Sequence, residues 1–193
     1  METGKKYRFS FTAGSLLFEE MKLVIDAMIN DGVSLSALDP DVINKSRKTT
    51  SKREFGELKI RVAQLSEREL RFFYDASETE QIQLAFIAAM RSYEFIQDFL
   101  LQVVREKLET FDYSIVDRDY NKFINSVEMN HPEYTGLSVS TKAKIKQVMF
   151  KIFEQAGFIH SIKKRELNPY YLEDSVRNLL SLEGRLKDLS IFI

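Results

Sequence analysis

Residues 78–92 read ETEQIQLAFIAAMRS, and the seven residues at 84–90 within this stretch are all apolar. A helix that is apolar on every side must be covered on every side by other elements. We therefore predict that residues 78–108 form one long central helix, or two helices in near-continuity, and that the remaining helices pack around this segment. Ser77 and Glu80 have the spacing of a capping box, which indicates that this helix begins near residue 78.

Helical periodicity continues on both sides of the central stretch. Apolar residues recur at steps of three and four from residue 17 to 28 and again from residue 55 to 65. This spacing is typical of helices that bury one face. The sequence thus predicts an all-α, multi-helix bundle. Its further helices include a short one over residues 67–75 (capping box Ser66 and Glu69), one that Asp117 caps, one from Ser140 to Gly157, and a last one over residues 173–188.

The helical pattern lapses between Thr110 and Ser114, which divides the chain. We predict an N-terminal helical subdomain over residues 1–113, which contains the central helix, and a C-terminal helical subdomain over residues 114–193. Residues 158–172 form short β-prone pieces separated by a basic turn. Such pieces are typical of a small β-hairpin, so the sequence is consistent with a mainly helical fold that contains one short hairpin.

Composition limits the classes of function. The chain has 28 Lys and Arg against 29 Asp and Glu, so any electrostatic function must come from local segregation of charge. It has no Cys, which excludes disulfides, thiolate zinc sites and cysteine nucleophiles. The longest apolar run is far shorter than the ~20 residues that span a bilayer. We expect a cytoplasmic protein with no membrane partner.

The first basic segment is KSRKTTSKR at residues 45–53, which contains five basic residues and no acid. Lys, Arg and hydroxyl side chains are the groups that bind phosphate oxygens, and a helix that starts near Thr50 would add backbone N–H donors. The alternative is a solvated connector between helices. The predicted phosphate contacts are Lys45, Arg47, Lys48, Lys52 and Arg53.

The second basic region begins with an acid-free stretch from Tyr134 to Phe153. A helical wheel over residues 141–156 places three polar side chains opposite the apolar stripe. A helix of this kind, preceded by another helix and followed by a basic hairpin, is typical of a winged helix-turn-helix, or of a plain helix-turn-helix if the hairpin is absent. The alternative is an ordinary surface helix, and the connection before Ser140 is long for a tight helix-turn-helix. The predicted groove contacts are Lys144, Gln147 and Lys151, and the predicted backbone contacts are Lys163, Lys164 and Arg165.

No catalytic, metal or cofactor site is predicted. The two histidines, His131 and His160, have no nearby ligand partners, and Gly-rich phosphate loops are absent. Asp41, Glu57 and Lys59 resemble the PD…ExK signature of metal-dependent nucleases. That signature needs its acids on adjacent strands, whereas Glu57 lies in a helical pattern. We therefore expect a protein that is not an enzyme, with a nuclease as the last alternative.

Patterns of apolar and capping residues resemble those of the BrxA family, small components of BREX phage-defence systems. The family has also been labelled a putative inner-membrane protein, which the hydropathy here contradicts. The resemblance carries no chemical motif and implies no catalytic residue. The matching stretches are residues 10–17, 65–108, 130–133 and 140–159.

The resemblance implies a cytoplasmic accessory protein of a system that modifies host DNA and blocks phage DNA replication. The family has been likened to the all-helical, RNA-binding NusB fold, and DNA binding has been suggested for it. The expected partners are double-stranded DNA and other BREX proteins, with RNA as an alternative to DNA. A second alternative is a protein–protein adaptor or scaffold whose basic segments are merely solvated.

Overall fold

A computed structural model describes residues 6–189 and Phe192. These residues form helices, short 3-10 turns and two isolated antiparallel bridges, which confirms the all-α prediction. No helix among them is both long enough and apolar enough to cross a membrane. The helices are α1 (Phe18–Asn30), α2 (Lys48–Val62), α3 (Glu67–Asp75), α4 (Glu78–Ser92), α5 (Glu94–Phe99), α6 (Arg105–Glu109), α7 (Asp117–Asn130), α8 (Pro132–Thr135), α9 (Val139–Gln155), α10 (Asp174–Leu182) and α11 (Leu186–Leu189).

The apolar stretch at residues 84–90 lies in α4 and is completely buried, as the sequence predicts. Helix α4 packs against α1, α2, α3 and α10. Both predicted capping pairs are present. The Ser66 hydroxyl accepts from the Glu69 backbone N–H while the Glu69 carboxylate accepts from the Ser66 N–H, and Glu80 accepts from the Ser77 N–H at 2.7 Å.

Residues 78–108 form near-continuous helices and not one unbroken helix, with the first break at Tyr93. Tyr93 has an extended backbone (φ −131°, ψ 96°), and its carbonyl oxygen accepts the N–H groups of Ile96 and Gln97 at the start of α5. A π-helical turn, Leu100–Val104, then separates α5 from α6. Neither Gly nor Pro marks these positions, so periodicity alone could not locate them. The predicted last helix is also divided, because Gly184 adopts a left-handed conformation (φ 68°) between α10 and α11.

The described chain forms two compact units, each assembled from separated stretches. The aromatic unit comprises residues 6–12, residues 93–171 and Phe192; the aliphatic unit comprises residues 13–92 and 172–189. The sequence-based boundary after residue 113 falls inside the aromatic unit. Residues 1–5, 190, 191 and 193 of the two predicted subdomains lie outside the described residues.

Ring contacts hold the aromatic unit together. The Phe99 ring of α5 contacts four other rings at centroid distances of 5.2–6.0 Å. Because aromatic side chains bury large areas, these contacts link three helices around one point. The partner rings are Tyr120 and Phe123 of α7 and Phe150 and Phe153 of α9.

Specific partners hold two arginines with buried side chains in the aliphatic unit. The Arg61 side chain is fully buried and donates hydrogen bonds to the carbonyl oxygens of Ser15 and Leu16, at 2.7 and 2.6 Å. Arg91 lies 2.7 Å from Glu69 and 2.8 Å from Asp188. A buried charge is tolerated only with such partners. These contacts fix the segment before α1 and the short helix α11.

Candidate nucleic-acid interface

Residues 45–53 lead into and form the first turns of α2. The helix begins at Lys48, with Arg47 as its N-cap, two residues before the predicted start at Thr50. Its first turn contains no acidic residue. Four predicted contacts of this segment are solvent-exposed, and no carboxylate among the described residues forms an ion pair with any of them. They are Arg47, Lys48, Lys52 and Arg53.

Lys45 has a different environment from the rest of its segment. Its ammonium group donates a hydrogen bond to Glu20 and lies 3.3 Å from a carboxylate oxygen of Glu54. The hydrogen bond to Glu20 is the main cause that raises the pKa of Lys45 above its ordinary value. The charge of Lys45 is therefore already compensated inside the aliphatic unit.

The connection before α9, which the sequence indicates is long for a tight helix-turn-helix, is partly helical. Pro132 begins the single-turn helix α8, and Ser138 caps α9 by accepting the Thr141 N–H at 3.2 Å. Helix α9 thus begins at Val139, one residue before the predicted Ser140. The three helices α7, α8 and α9 follow one another with only short irregular links.

The polar face of α9 matches the helical wheel at three positions. Lys144 and Gln147 are exposed neighbours, 3.5 Å apart between Nζ and Oε1. Lys151 is partly exposed and donates to Glu154 at 2.6 Å, which is the main cause that lowers the pKa of Glu154. The wheel places Phe150 beside this polar face, but its ring is buried against Phe99.

Isolated bridges replace a regular hairpin after α9. Ile159 pairs with Leu167 in antiparallel orientation, at the place where the sequence predicts the hairpin. A third segment joins them, because Ser114 pairs with Glu166. Residues 165–167 therefore lie between residues 113–115 and 158–160. Residues 113–115 were not predicted to be extended, although Tyr, Ile and Val at positions 113, 115 and 116 favour extended structure.

The three basic residues of the turn have two different roles. Lys163 and Lys164 are exposed. Arg165 has a left-handed backbone (φ 52°), and its guanidinium lies 2.8 Å from Asp117 and over the Phe150 ring. Arg165 thus holds the turn against α7 and α9.

Asp117 is the second anchor of this region, and sequence reasoning assigned it only a capping role. Its carboxylate accepts hydrogen bonds from Lys146 and Arg165, both at 2.8 Å. These bonds, that of Lys146 first, lower the pKa of Asp117 to about 2. The partners lie 29 and 48 positions away along the chain, which is why periodicity could not find them.

Comparison with known proteins gives the family. The sequence matches the family model described as BrxA over residues 5–184. The chain belongs to the BrxA family. All of the predicted contact residues lie within the BrxA match.

Two relatives are named BREX protein BrxA. One, from Escherichia coli O9:H4 (strain HS), is 25% identical over 182 residues, which cover 92% of this chain and 85% of the relative. The other, from Paramagnetospirillum magneticum (strain ATCC 700264 / AMB-1), is 21% identical over 180 residues, which cover 91% of this chain and 90% of the relative.

A solved structure shares the fold of this BrxA-family chain. It is the crystal structure of an uncharacterized protein from Magnetospirillum magneticum, with a TM-score of 0.81 and 19% sequence identity. The match covers 96% of this chain and 97% of that one. At this identity the likeness concerns the fold alone.

The nuclease-like residues of this BrxA-family chain lie on helical elements. Asp41 lies in the 3-10 turn Pro40–Ile43, and Glu57 lies inside α2 with 6% of its surface exposed. Lys59 lies 4.8 Å from the Phe55 ring centroid. Within residues 6–189 and Phe192, no group of three or more His, Asp or Glu side chains could hold a metal ion.

Proposed function

We propose that this chain is a DNA-binding, non-catalytic component of a BREX system that acts in the cytoplasm. The BREX assignment follows from family membership and from the names of its two relatives. The net charge of −1 provides no general attraction to DNA, so the proposal depends on local surfaces.

The observation that carries the proposal is the order of elements in the aromatic unit. A helical segment ending in α6 is followed by the extended residues 113–115, then α7 and α9, then the bridged residues 158–160 and 165–167. This order is typical of winged helix-turn-helix domains, in which the last helix enters the major groove and the wing contacts the backbone. We assign these roles to α9 and to the turn after it.

The exposed side chains of α9 have the chemistry that major-groove contact requires. Lys donates to the O6 and N7 acceptors of guanine, and Gln bonds to the N6 and N7 groups of adenine. Lys144 and Gln147 lie side by side on the exposed face. Lys151, which pairs with Glu154, would reach the groove edge only by exchanging that partner.

Phosphate contacts come from two places in this proposal. Lys163 and Lys164 lie in the turn that Arg165 and Asp117 hold in position, so we place them against the backbone beside the groove. Arg47, Lys48, Lys52 and Arg53 form the second set, next to the free N–H groups at the start of α2.

A salt titration tests the proposal. The affinity of the full chain for a fluorescent 30-base-pair duplex should fall by roughly 10³-fold or more between 50 and 200 mM salt, because six or more phosphate contacts release that many counterions. Fluorescence anisotropy measures both affinities. Absence of binding at 50 mM salt, or equal affinity at both salt concentrations, would contradict DNA binding.

RNA binding of the NusB type is the competing function, and competition separates the two. The major groove of an A-form RNA helix is too narrow to admit side chains from a helix such as α9. Unlabelled duplex DNA should therefore displace the labelled duplex, while double-stranded RNA of equal length should not. Displacement by RNA at equal concentration would favour the NusB-like alternative.

The non-catalytic role has a separate test. Asp41→Ala should leave every measured property unchanged, including the absence of DNA cleavage in the presence of Mg²⁺ or Mn²⁺. Metal-dependent cleavage by the wild-type chain that Asp41→Ala abolishes would establish a nuclease instead.

A further inference from the structure

An exposed aromatic groove lies in the aromatic unit, and its lining residues include none of the proposed DNA contacts. Its volume is about 430 Å³, and residues 111–114, His160, residues 166–167 and Pro169 line it. Phe111 and Tyr113 contribute two aromatic side chains that are 78% and 42% exposed. The groove thus offers apolar surface to solvent beside the bridged segments.

Phe111 occupies a backbone position that disfavours it. The N–H of Phe111 donates to the carbonyl of Leu108, and the N–H of Asp112 donates to that of Lys107. This is the Schellman pattern at the end of α6, in which the left-handed residue is usually Gly. Phe111 has φ 58°, which is unfavourable for a bulky side chain. Because its ring is mostly exposed, burial does not offset this cost.

The charges around the groove favour a cationic ligand. The Glu166 carboxylate is exposed, and no described Lys or Arg forms an ion pair with it. The Asp112 carboxylate accepts from Lys107 at 2.6 Å and from the Ser114 N–H at 3.2 Å, and remains partly exposed. Lys107 already compensates the Asp112 charge, so the Glu166 carboxylate is the group beside the aromatic rings that disfavours phosphate. An exposed carboxylate next to aromatic rings suits a guanidinium group, which stacks on aromatic faces and bonds a carboxylate with two parallel hydrogen bonds.

One backbone carbonyl of the extended segment takes no part in the bridges. Tyr113 and Ile115 use their carbonyl and N–H groups to bond residues 167 and 165. Because backbone groups alternate along an extended strand, the carbonyl of Ser114 points away from residues 165–167. An extended peptide laid along this edge could bond to that carbonyl and place a side chain in the groove.

We propose that this groove docks an arginine-bearing, extended segment of a partner protein. The exposed Phe111 and Tyr113 rings stack on the guanidinium, and Glu166 accepts its hydrogen bonds. The bridged segments that form the groove also hold the turn with Lys163 and Lys164, but no lining residue is itself a proposed DNA contact. Either proposal can therefore fail without the other. A single-stranded nucleic acid, whose bases would stack on the same rings, is the occupant that the Glu166 carboxylate argues against.

The test uses the full chain and the peptide acetyl-Val-Arg-Val-Arg-Val-amide. In a ¹H–¹⁵N NMR titration, the peptide should shift the amide signals of Tyr113, Ser114 and Glu166. The matched peptide acetyl-Val-Glu-Val-Glu-Val-amide and a short oligothymidylate should not shift them. Absence of shifts with the arginine peptide at millimolar concentration, or stronger shifts with the oligothymidylate, would overturn the proposal.

Two variants separate binding from folding. Phe111→Gly should raise the melting temperature by roughly 2–4 °C, since Gly suits the left-handed position. The same variant should lower the affinity for the arginine peptide about tenfold. Glu166→Gln should lower the affinity for the arginine peptide by a similar factor and leave the melting temperature unchanged. Leu182→Ala, which truncates an exposed apolar residue of the aliphatic unit, is the matched control and should change neither. Full peptide affinity in Phe111→Gly and Glu166→Gln would contradict the assignment.

Discussion

The two basic regions have similar composition but differ in how much of their charge is available. In residues 45–53, four of the five cations are exposed without an ion-pair partner among the described residues, and only Lys45 is engaged. In the region of α9 and its following turn, Lys151 and Arg165 bond to carboxylates. Neighbouring basic residues thus have different roles: some are free to bind a ligand, and others hold the fold.

The difference predicts a division of labour on DNA. The first segment presents more free charge, but nothing in its helix start would distinguish one base sequence from another. The second region presents fewer free cations on a helix and a turn that Asp117 and Glu154 fix in position. We expect the first to contribute salt-dependent affinity and the second to contribute orientation and base preference.

The largest expected effect comes from the first segment. Arg47→Gln, Lys48→Gln, Lys52→Gln and Arg53→Gln in one variant should reduce the slope of log affinity against log salt by about 3.6, at about 0.9 for each of four contacts. Anisotropy titrations from 50 to 300 mM salt measure the slope. Lys22→Gln, which removes a cation paired with Glu19, is the control and should leave the slope unchanged.

The turn after α9 should give about half that effect. Lys163→Gln with Lys164→Gln removes two proposed phosphate contacts and should reduce the salt slope by about 1.8. The free energy of unfolding should not change measurably, because both side chains are exposed. An unchanged slope would remove the turn from the proposed interface and leave residues 45–53 as the main source of affinity.

Gln147→Ala should affect base preference without affecting the salt slope. A good pair of hydrogen bonds to one base is worth about 1–3 kcal/mol of discrimination. Selection of bound duplexes from a randomised pool, with the wild-type chain and the variant side by side, measures the loss. Identical preferences would argue that α9 does not contact bases.

Lys45, whose charge is already compensated by Glu20 and Glu54, should affect stability and not DNA affinity. Lys45→Gln should leave the salt slope unchanged and lower the free energy of unfolding by less than about 1 kcal/mol, since the Lys45 side chain is one-third exposed. The raised pKa of Lys45 means that its contribution is complete below the ordinary lysine pKa of 10.5 and is lost as pH rises through the higher folded-state pKa. Urea titrations of both proteins at pH 7 and above pH 10.5 test this.

The stabilising contribution of Asp117 in the second region should be lost at low pH. The folded-state pKa of Asp117 is about 2, below its ordinary 3.8, so its contribution to stability is present above about pH 4 and is lost as pH falls toward 2. Asp117→Asn should therefore be less stable than the wild-type chain at pH 7 and equally stable near pH 2. A stability difference that does not change with pH would argue against the ion pairs with Lys146 and Arg165.

Local patterns predicted much of the fold. The buried stretch at residues 84–90, the capping pairs at Ser66 and Ser77, and the helix end before Gly157 all depend on residues within a few positions of one another. Such features are visible in a single sequence because helix periodicity and capping act over one or two turns.

Features that depend on distant residues were not visible. The interruption at Tyr93 contains no Gly or Pro, and its side chain is buried with Phe11 from the start of the chain. Arg165 was grouped with Lys163 and Lys164 because the three are adjacent, yet its partner Asp117 lies 48 positions away. The sequence therefore identified where basic residues concentrate and could not separate free cations from engaged ones.

The most direct measurement places a photoactivatable cross-linker at defined surface positions. The chain contains no Cys, so a single introduced thiol is the only attachment point. Ala143→Cys on the exposed face of α9 and Thr49→Cys at the start of α2 should both cross-link to a labelled duplex, whereas Leu182→Cys should not. Comparable yields at all three positions, or no cross-link at Ala143→Cys and Thr49→Cys, would contradict the proposed DNA interface.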